Sequence, residues 1–367
     1  MPHATNFEKI VRRGFIRAAG VLASTHLLRS DELSGSVNPR WERRPGSLTD
    51  VGGIRVGHYT EPRRPTGCTV ILFDEAAVAG VDVRGSAPGT RETDLLNPIN
   101  AVQKVNAIVL SGGSAYGLDA ASGVMRFLEE RNTGFHVGSV VVPIVPAAIL
   151  FDLQIGDPKI HPTAASGYSA CQAAANSNVS EGSVGAGAGA TVGKFFGPGL
   201  AMKSGIGAAS WTIERRNLVV GAIVAVNSVG DVIDRQTGKI LAGARRPDGR
   251  GFLNTMDQFM KGAIGKPNLG SNTTIGVIAT NAALTKVEIT KVAQMAHDGL
   301  ARTINPVHTM ADGDTLFATA TGTSRERHDV SLIGAIAAEI LAHAVNRAVM
   351  MATGIESYPA YRDIVAK

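Results

Sequence analysis

Residues 330–351 place the tightest constraint on this chain, because they read as a helix that is apolar nearly all round. Such a helix has no face to give to water and must be covered on several sides, between layers of one protein or between subunits. The rest of the pattern supplies layers. Residues 68–73 and 77–83 are short β-rich runs of the kind that pair antiparallel, and residues 105–110 form another strand closed by the turn Ser111-Gly112-Gly113. Residues 116–130 have helical spacing, with Leu118, Val124, Met125 and Leu128 recurring on one side. Residues 140–153 are apolar and extended, 163–175 an Ala-rich helix, and 205–213, 218–226 and 232–234 further strands. A polar stretch rich in Gly and Pro over 245–272 reads as a long surface loop. After it come a strand from Thr273, a helix over 286–304 and a strand over 315–321. Strand runs separated by helices predict an α/β protein.

Composition narrows the class. At 367 residues, 44% hydrophobic and 18% charged, the chain is globular and long enough to bury a sizeable core. The aromatic share of 5% and the 43 glycines predict an Ala/Val/Ile/Leu core with close backbone approaches. The net charge of +5 comes from basic residues that are scattered or lie before Arg44, with no clustered stripe for a nucleic acid. No apolar run is seen to reach the roughly 20 residues that span a bilayer. Cys68 and Cys171 are too few for a metal cluster or disulfide framework and are expected to be buried and free. None of the nine histidines has a spacing such as H-E-x-x-H, so no metal is expected, and His297 and His308 read as structural.

The N-terminus stands apart. Arg12-Arg13, the apolar pair Phe15-Ile16, Arg17 and a weakly apolar stretch look like a twin-arginine export signal, which predicts a periplasmic protein. The alternative is an amphipathic helix or tail on a cytoplasmic enzyme, since no clear small-x-small cleavage site follows. A polar linker with Pro39 and Pro45 closes this segment, giving residues 1–46 as signal and linker and 47–367 as one domain.

Chemistry concentrates around Thr273. Asn272-Thr273-Thr274 opens the apolar run Ile275-Gly276-Val277-Ile278-Ala279, and Asp312-Gly313-Asp314 follows some way on. A threonine hydroxyl is a poor nucleophile at neutral pH without a base beside it. A break between Asn272 and Thr273 would give Thr273 its own α-amine, which titrates at about 7.7–8.0 and can take the hydroxyl proton. At a strand-initiating Asp-Gly-Asp, residues two apart share a face, so both carboxylates could hold Thr273 in register. The plainer reading is a β-branched strand start and, later, a surface turn.

The runs NTTIGVIATNA and HTMADGDTLFATATG, with VGHYTEPRRPTGCTVILF, SGGSAYGLDAASGVMRFLEE, GAGAGATVGK and AVNSVGDVID, resemble the self-processing L-aminopeptidase/D-amidase-esterase family. The threonine and Asp-Gly-Asp version is similar to its nylon-oligomer endohydrolase branch; many other members have serine and Ser-x-Glu there. The resemblance implies two stacked β-sheets flanked by helices, an αββα sandwich of N-terminal-nucleophile type. It also implies cleavage between Asn272 and Thr273, a catalytic role for Lys194, and Asn227 as an oxyanion donor near the nucleophile. Thr273, Asp312, Asp314, Lys194 and Asn227 are thus the expected catalytic set, with no cofactor and with a homo-oligomer of processed protomers. Relatives often carry tyrosine where this chain has Phe151, so their hydroxyl is missing here.

Two other motifs fail on inspection. The Gly185–Lys194 run lacks the P-loop glycine, having Ala188 there, and has Phe195 where Ser or Thr would hold Mg²⁺. Gly112-Gly113-Ser114-Ala115-Tyr116-Gly117 misses the G-x-S-x-G elbow by one residue and reads as a strand-to-helix turn with Ser114 near the helix cap. The expected enzyme is an amidohydrolase acting on short peptides or ω-amino oligomers. Alternatives are a strict aminopeptidase, for which Asp152 or Glu181 could bind a free amine, an ornithine-type acetyltransferase, and an uncleaved binding protein. The transferase signature Lys-Gly-[Ser/Thr]-Gly-Met-Ile is replaced here by Leu269-Gly270-Ser271-Asn272.

Overall fold

The computed structural model describes residues 46–265, 270–355 and 357–365; Arg12 and Arg13 lie outside the described residues. Nine strands share one hydrogen-bonded sheet: β1 (Ile54–Thr60), β2 (Gly67–Val83), β3 (Thr90–Arg91), β4 (Lys104–Ser111), β5 (Ala147–Ile149), β6 (Ile206–Ile213), β7 (Leu218–Asn227), β8 (Thr273–Thr280) and β9 (Thr315–Ala320). Their order is β6-β7-β8-β9-β2-β4-β5-β3, with β1 also on β2. Only the β8–β9 and β4–β5 pairs are parallel.

The two short runs expected over 68–73 and 77–83 are one strand of 17 residues. No Gly or Pro separates them, so the chain runs through Asp74 and Glu75, and the register with β4 shifts between Leu72 and Ala77 instead. The first part of β2 pairs with β1 and the second with β9. One strand therefore belongs to both layers of a sheet that folds over on itself. Ile71, Phe73, Ile108 and Leu110 meet Ile206, Ile223, Ile275 and Phe317 in the core between the layers.

Helices cover both outer faces. Val70, Leu72, Ala107 and Val109 pack under α1 (Ala120–Glu129) and α2 (Ala164–Gln172). A short helix, α3 (Thr255–Met260), lies within the stretch expected to be all loop. Asn254 makes that helix possible, its side chain accepting the Asp257 N–H at 3.3 Å. On the other face, Val220, Ala222, Val224 and Ile278 pack under α4 (Lys286–Ala301) and α5 (Val330–Met350). The start of α4 is set by a capping box: the Glu288 carboxylate accepts the Thr285 N–H at 2.7 Å, and Thr285 accepts the Glu288 N–H at 3.3 Å. Helix α5 is long and apolar enough to cross a membrane by length and composition, which corrects the sequence reading that nothing reached that length. Here it is a core helix, with Ile333, Ala337, Leu341, Ala344 and Ala348 buried. This is the layered cover that its all-round apolarity demanded.

The topology brings three strand ends together. Asn227 at the end of β7 is the register partner of Thr273 at the start of β8. Beside them, Asn272 bridges to Asp312 just before β9. Residues two apart on a strand share a face, so Thr273 is on the side of Ile275, Val277 and Ala279, toward the core between the layers.

Candidate active site

Lys194 reaches this point because the glycine-rich segment packs backbone against backbone. Gly193 has φ 73°, and a Cβ there would stand 2.1 Å from the Gly243 carbonyl carbon, so only glycine fits. Main-chain bonds from Gly193 to Gly230 (3.1 Å) and from Lys194 to Val229 (3.0 Å) then fix the lysine beside the end of β7. Its Nζ donates to Asn227 Oδ1 (2.8 Å), Asn227 O (2.9 Å) and Ser271 O (2.9 Å). Burial pushes the Lys194 ammonium down to about 7, against the pull of Asp312, Asp152 and Asp314.

Asn227 completes a cradle. Its Oδ1 also accepts the Thr191 N–H at 3.0 Å, and its Nδ2 donates to Phe151 O (3.0 Å) and Ser271 O (3.2 Å). In the intact chain its amide is thus aimed at the carbonyl of Ser271, one residue before the expected cleavage point, rather than at that of Asn272. Phe151 contributes only its main-chain oxygen.

The Asn272 carbonyl has other partners. Thr273 Oγ1 lies 2.5 Å from its oxygen, and the Gly313 N–H donates to the same oxygen at 2.8 Å. Gly313 is the donor that sequence reading missed, because a main-chain N–H has no letter of its own. The middle glycine of Asp312-Gly313-Asp314 was the available signal: a Cβ there would sit 2.5 Å from Ala87 O and 3.0 Å from Thr273 Oγ1.

The two carboxylates stand differently from the expected shared strand face. The strand begins only at Thr315, so hydrogen bonds rather than alternation place them. Asp314 Oδ1 accepts the Thr274 N–H at 2.6 Å, and its Oδ2 accepts from His308 Nδ1 at 2.8 Å and from the His308 N–H at 3.2 Å. Asp312 Oδ2 accepts from Thr309 N (2.8 Å) and Oγ1 (2.6 Å), while its Oδ1 is buried without a hydrogen-bond partner among the described residues. Burial first, and Asp314 second, raise the proton affinity of Asp312 above the usual carboxylate range. Asn227, Asn272, Thr273, Asp312 and Asp314 are all buried.

The acids set aside for a substrate amine are occupied. Asp152 forms a buried pair with Arg64 at 2.5 Å and accepts from Thr66 Oγ1 (2.7 Å) and the Gly113 N–H (2.9 Å). Glu181 pairs with Arg347 and accepts the Ala208 N–H at 2.9 Å. Ser114 is no side-chain cap; Gly113 holds the cap position of the turn. Cys68 and Cys171 are buried and free.

Chemically, the site sets a hydroxyl against a carbonyl whose oxygen already has an N–H donor. That is the arrangement acyl transfer requires.

Comparison with known proteins agrees with this chemistry. Residues 46–361 match the model of Peptidase family S58. An uncharacterized aminopeptidase of Mycobacterium tuberculosis (strain H37Rv) is 46% identical over 345 residues, covering 87% of this chain and 97% of that protein. A 6-aminohexanoate-oligomer endohydrolase of Kocuria sp. is 33% identical over 81% of this chain and 84% of its own. In fold, a Burkholderia sp. β-aminopeptidase superposes with a TM-score of 0.65 at 22% identity, over 88% of this chain and 94% of that one. The L-aminopeptidase D-Ala-esterase/amidase of Ochrobactrum anthropi, described as a variant of the Ntn hydrolase fold, gives 0.64 at 20% identity, over 84% and 88%. The sandwich thus shares the fold of these structures, and the chain belongs to Peptidase family S58, a family of amide-bond hydrolases.

Proposed function

We propose that the chain cuts itself between Asn272 and Thr273 and then hydrolyses amides through a Thr273 acyl-enzyme. The observation that carries this reading is Thr273 Oγ1 lying 2.5 Å from the Asn272 carbonyl oxygen while Gly313 N–H holds that oxygen at 2.8 Å. Thr273 Oγ1 attacks the Asn272 carbonyl carbon and gives its proton to Asp312, whose Oδ1 is free to accept one. The C–N bond breaks, the proton passes to the departing nitrogen, and an ester joins Asn272 to Thr273. Water opens the ester, leaving an Asn272 carboxylate and a Thr273 that carries both amine and hydroxyl. The α-amine is then the base for attack on substrate.

Cleavage also releases an occupant. In the intact chain the Ser271 carbonyl engages Lys194 Nζ and Asn227 Nδ2. Once it leaves, those two donors become available to the oxygen of a substrate, so the uncut precursor is expected to be inactive.

The substrate in this reading is a short linear amide cut without need of a free amine. Support comes from the occupied Asp152 and Glu181, and from the 33% identity to enzymes named 6-aminohexanoate-oligomer endohydrolases. A strict aminopeptidase is the second reading, favoured by the 46% identity to proteins named as aminopeptidases. One amide series with the N-terminus free or acetylated separates them. Activity on the free form alone, by about a hundredfold or roughly 2.7 kcal/mol of transition-state binding, selects the aminopeptidase. The nucleophile is tested by Thr273→Ala, expected to be folded, uncut and inactive, and by Thr273→Ser, expected to be cut and partly active. Export through Arg12-Arg13 and assembly of processed protomers complete the proposal. Cell fractionation of an Arg12→Lys/Arg13→Lys variant and the solution mass of the cut protein test them.

A further inference from the structure

We propose that His308 is a positioning residue for the nucleophile: through Asp314 it holds the first peptide group of β8, and with it Thr273, in place once the chain has been cut. The proposal rests on the reading of Thr273 as nucleophile. Cutting turns Thr273 into a chain end, and chain ends fray unless something ties them down. It also removes Ser271 and Asn272, which anchor the segment to Lys194, Asn227 and Gly313 in the intact chain. What remains at Thr273 and Thr274 is the pairing with β7 and the 2.6 Å bond from Thr274 N–H to Asp314 Oδ1, since the pairing with β9 begins only at Ile275. A carboxylate held at one oxygen can still turn about its own Cβ–Cγ bond.

His308 prevents that turn. Its Nδ1 at 2.8 Å and its main-chain N–H at 3.2 Å both meet Asp314 Oδ2, so the carboxylate is bound at both ends. The backbone is bent to allow this: His308 has φ 57°, a left-handed conformation that non-glycine residues seldom adopt and that marks a locally imposed geometry. Asp314 Oδ2 accepts here, so Nδ1 is the donor and carries a hydrogen. Nε2 is buried without a hydrogen-bond partner among the described residues, and the ring stands edge-on to His297 at 4.8 Å between centroids. His297 in turn makes a 3.0 Å bond to the carbonyl of Asp82.

The test compares wild type, His308→Ala and His308→Asn. Asparagine keeps a side-chain N–H near the place of Nδ1 and tolerates the left-handed backbone, whereas alanine does neither. The alanine variant should lower kcat on an amide substrate by about a hundredfold with little change in KM, as misplacing a reacting group by about an ångström does. The asparagine variant should recover to within about tenfold of wild type. A folded alanine variant with wild-type kcat, or an asparagine variant as slow as the alanine one, overturns the proposal. Should the alanine variant fail to fold, histidine ¹⁵N spectra of the processed wild type decide, with His308→Asn identifying the signal. A hydrogen on Nδ1 is expected, and a bare Nδ1 would contradict the clamp. Turnover by Thr273→Ala would instead sink the nucleophile assignment itself, a separate failure.

Discussion

Lys194 and Lys203 are both buried lysines whose ammonium groups burial pushes down to about 7, yet their surroundings assign them different work. Lys203 Nζ donates to Gly187 O and Ala190 O, each at 3.2 Å, and to Ser204 O. Those acceptors belong to the glycine-rich segment that carries Lys194 and to Ser204, and none adjoins the Asn272–Thr273 bond. Lys194 instead holds Ser271 O, which leaves if the chain is cut at Asn272–Thr273. A shifted proton affinity therefore reports burial, while the fate of the partner separates a structural lysine from a functional one.

The largest effect that sharpens this contrast is expected from Lys194→Met. Turnover should fall about 10²–10³-fold, the loss seen when a donor to a developing oxyanion is removed, and self-cleavage should slow because Lys194 no longer holds the Ser271 carbonyl next to the scissile bond. Band intensities over time and kcat read it; rapid complete cutting would erase the distinction between the lysines. Lys203→Met should do the reverse, leaving several carbonyls without a donor. A stability loss of about 2–4 kcal/mol is expected from a denaturant midpoint, with kcat of the folded enzyme within about threefold of wild type.

A smaller effect concerns Asp312, whose proton affinity burial and Asp314 raise. Ionising it costs the folded state, so its favourable contribution is complete at acid pH and is lost as pH rises through its raised value. Asp312→Asn should raise the unfolding midpoint at neutral pH by about 1 kcal/mol while slowing self-cleavage, a trade of stability against activity common at functional sites. Equal or lower stability would argue that Asp312 is held by partners rather than kept under electrostatic stress.

The smallest effect is a pH slope. From about 7 upward the two folded lysines lose their protons while unfolded lysines, with an ordinary value of 10.5, keep theirs. The unfolded chain then binds more protons, so stability should rise from pH 7 toward 9. Above that the rise weakens, since burial pushes the Cys171 thiol up to about 12 from 9.0 and the unfolded thiol ionises first, and the lysine contribution ends as unfolded lysines titrate at 10.5. Melting temperatures at pH 7 and 9 should show the rise in wild type and a shallower one in Lys203→Met.

The chain's sequence makes side-chain chemistry legible and main-chain chemistry nearly invisible. Thr273, Asp312, Asp314, Lys194 and Asn227 could be picked out because each letter names a reactive group and the order of the motifs resembles a family. The structure brings those residues together through register pairs distant in sequence, such as Asn227 with Thr273, which no local pattern encodes. Gly313 N–H and Ser271 O escaped because every residue type carries the same amide. His308 escaped because nothing in its spacing reveals a bond to Asp314. In the fold, helices α4 and α5 lie close to the runs read as helices at 286–304 and 330–351. The passage of β2 between layers was not legible, because two apolar runs separated by Asp74-Glu75 look like two strands. The cap at Asn254 was likewise lost in a stretch whose polarity suggested only loop.

The central claim is that the bond between Asn272 and Thr273 is broken by the chain itself. Denaturing mass spectrometry of the purified protein tests it most directly. The expected result is a fragment beginning at Thr273 and ending at Lys367, absent from the Thr273→Ala variant. Intact chain alone, or a fragment whose first residue lies elsewhere before β8, would contradict it.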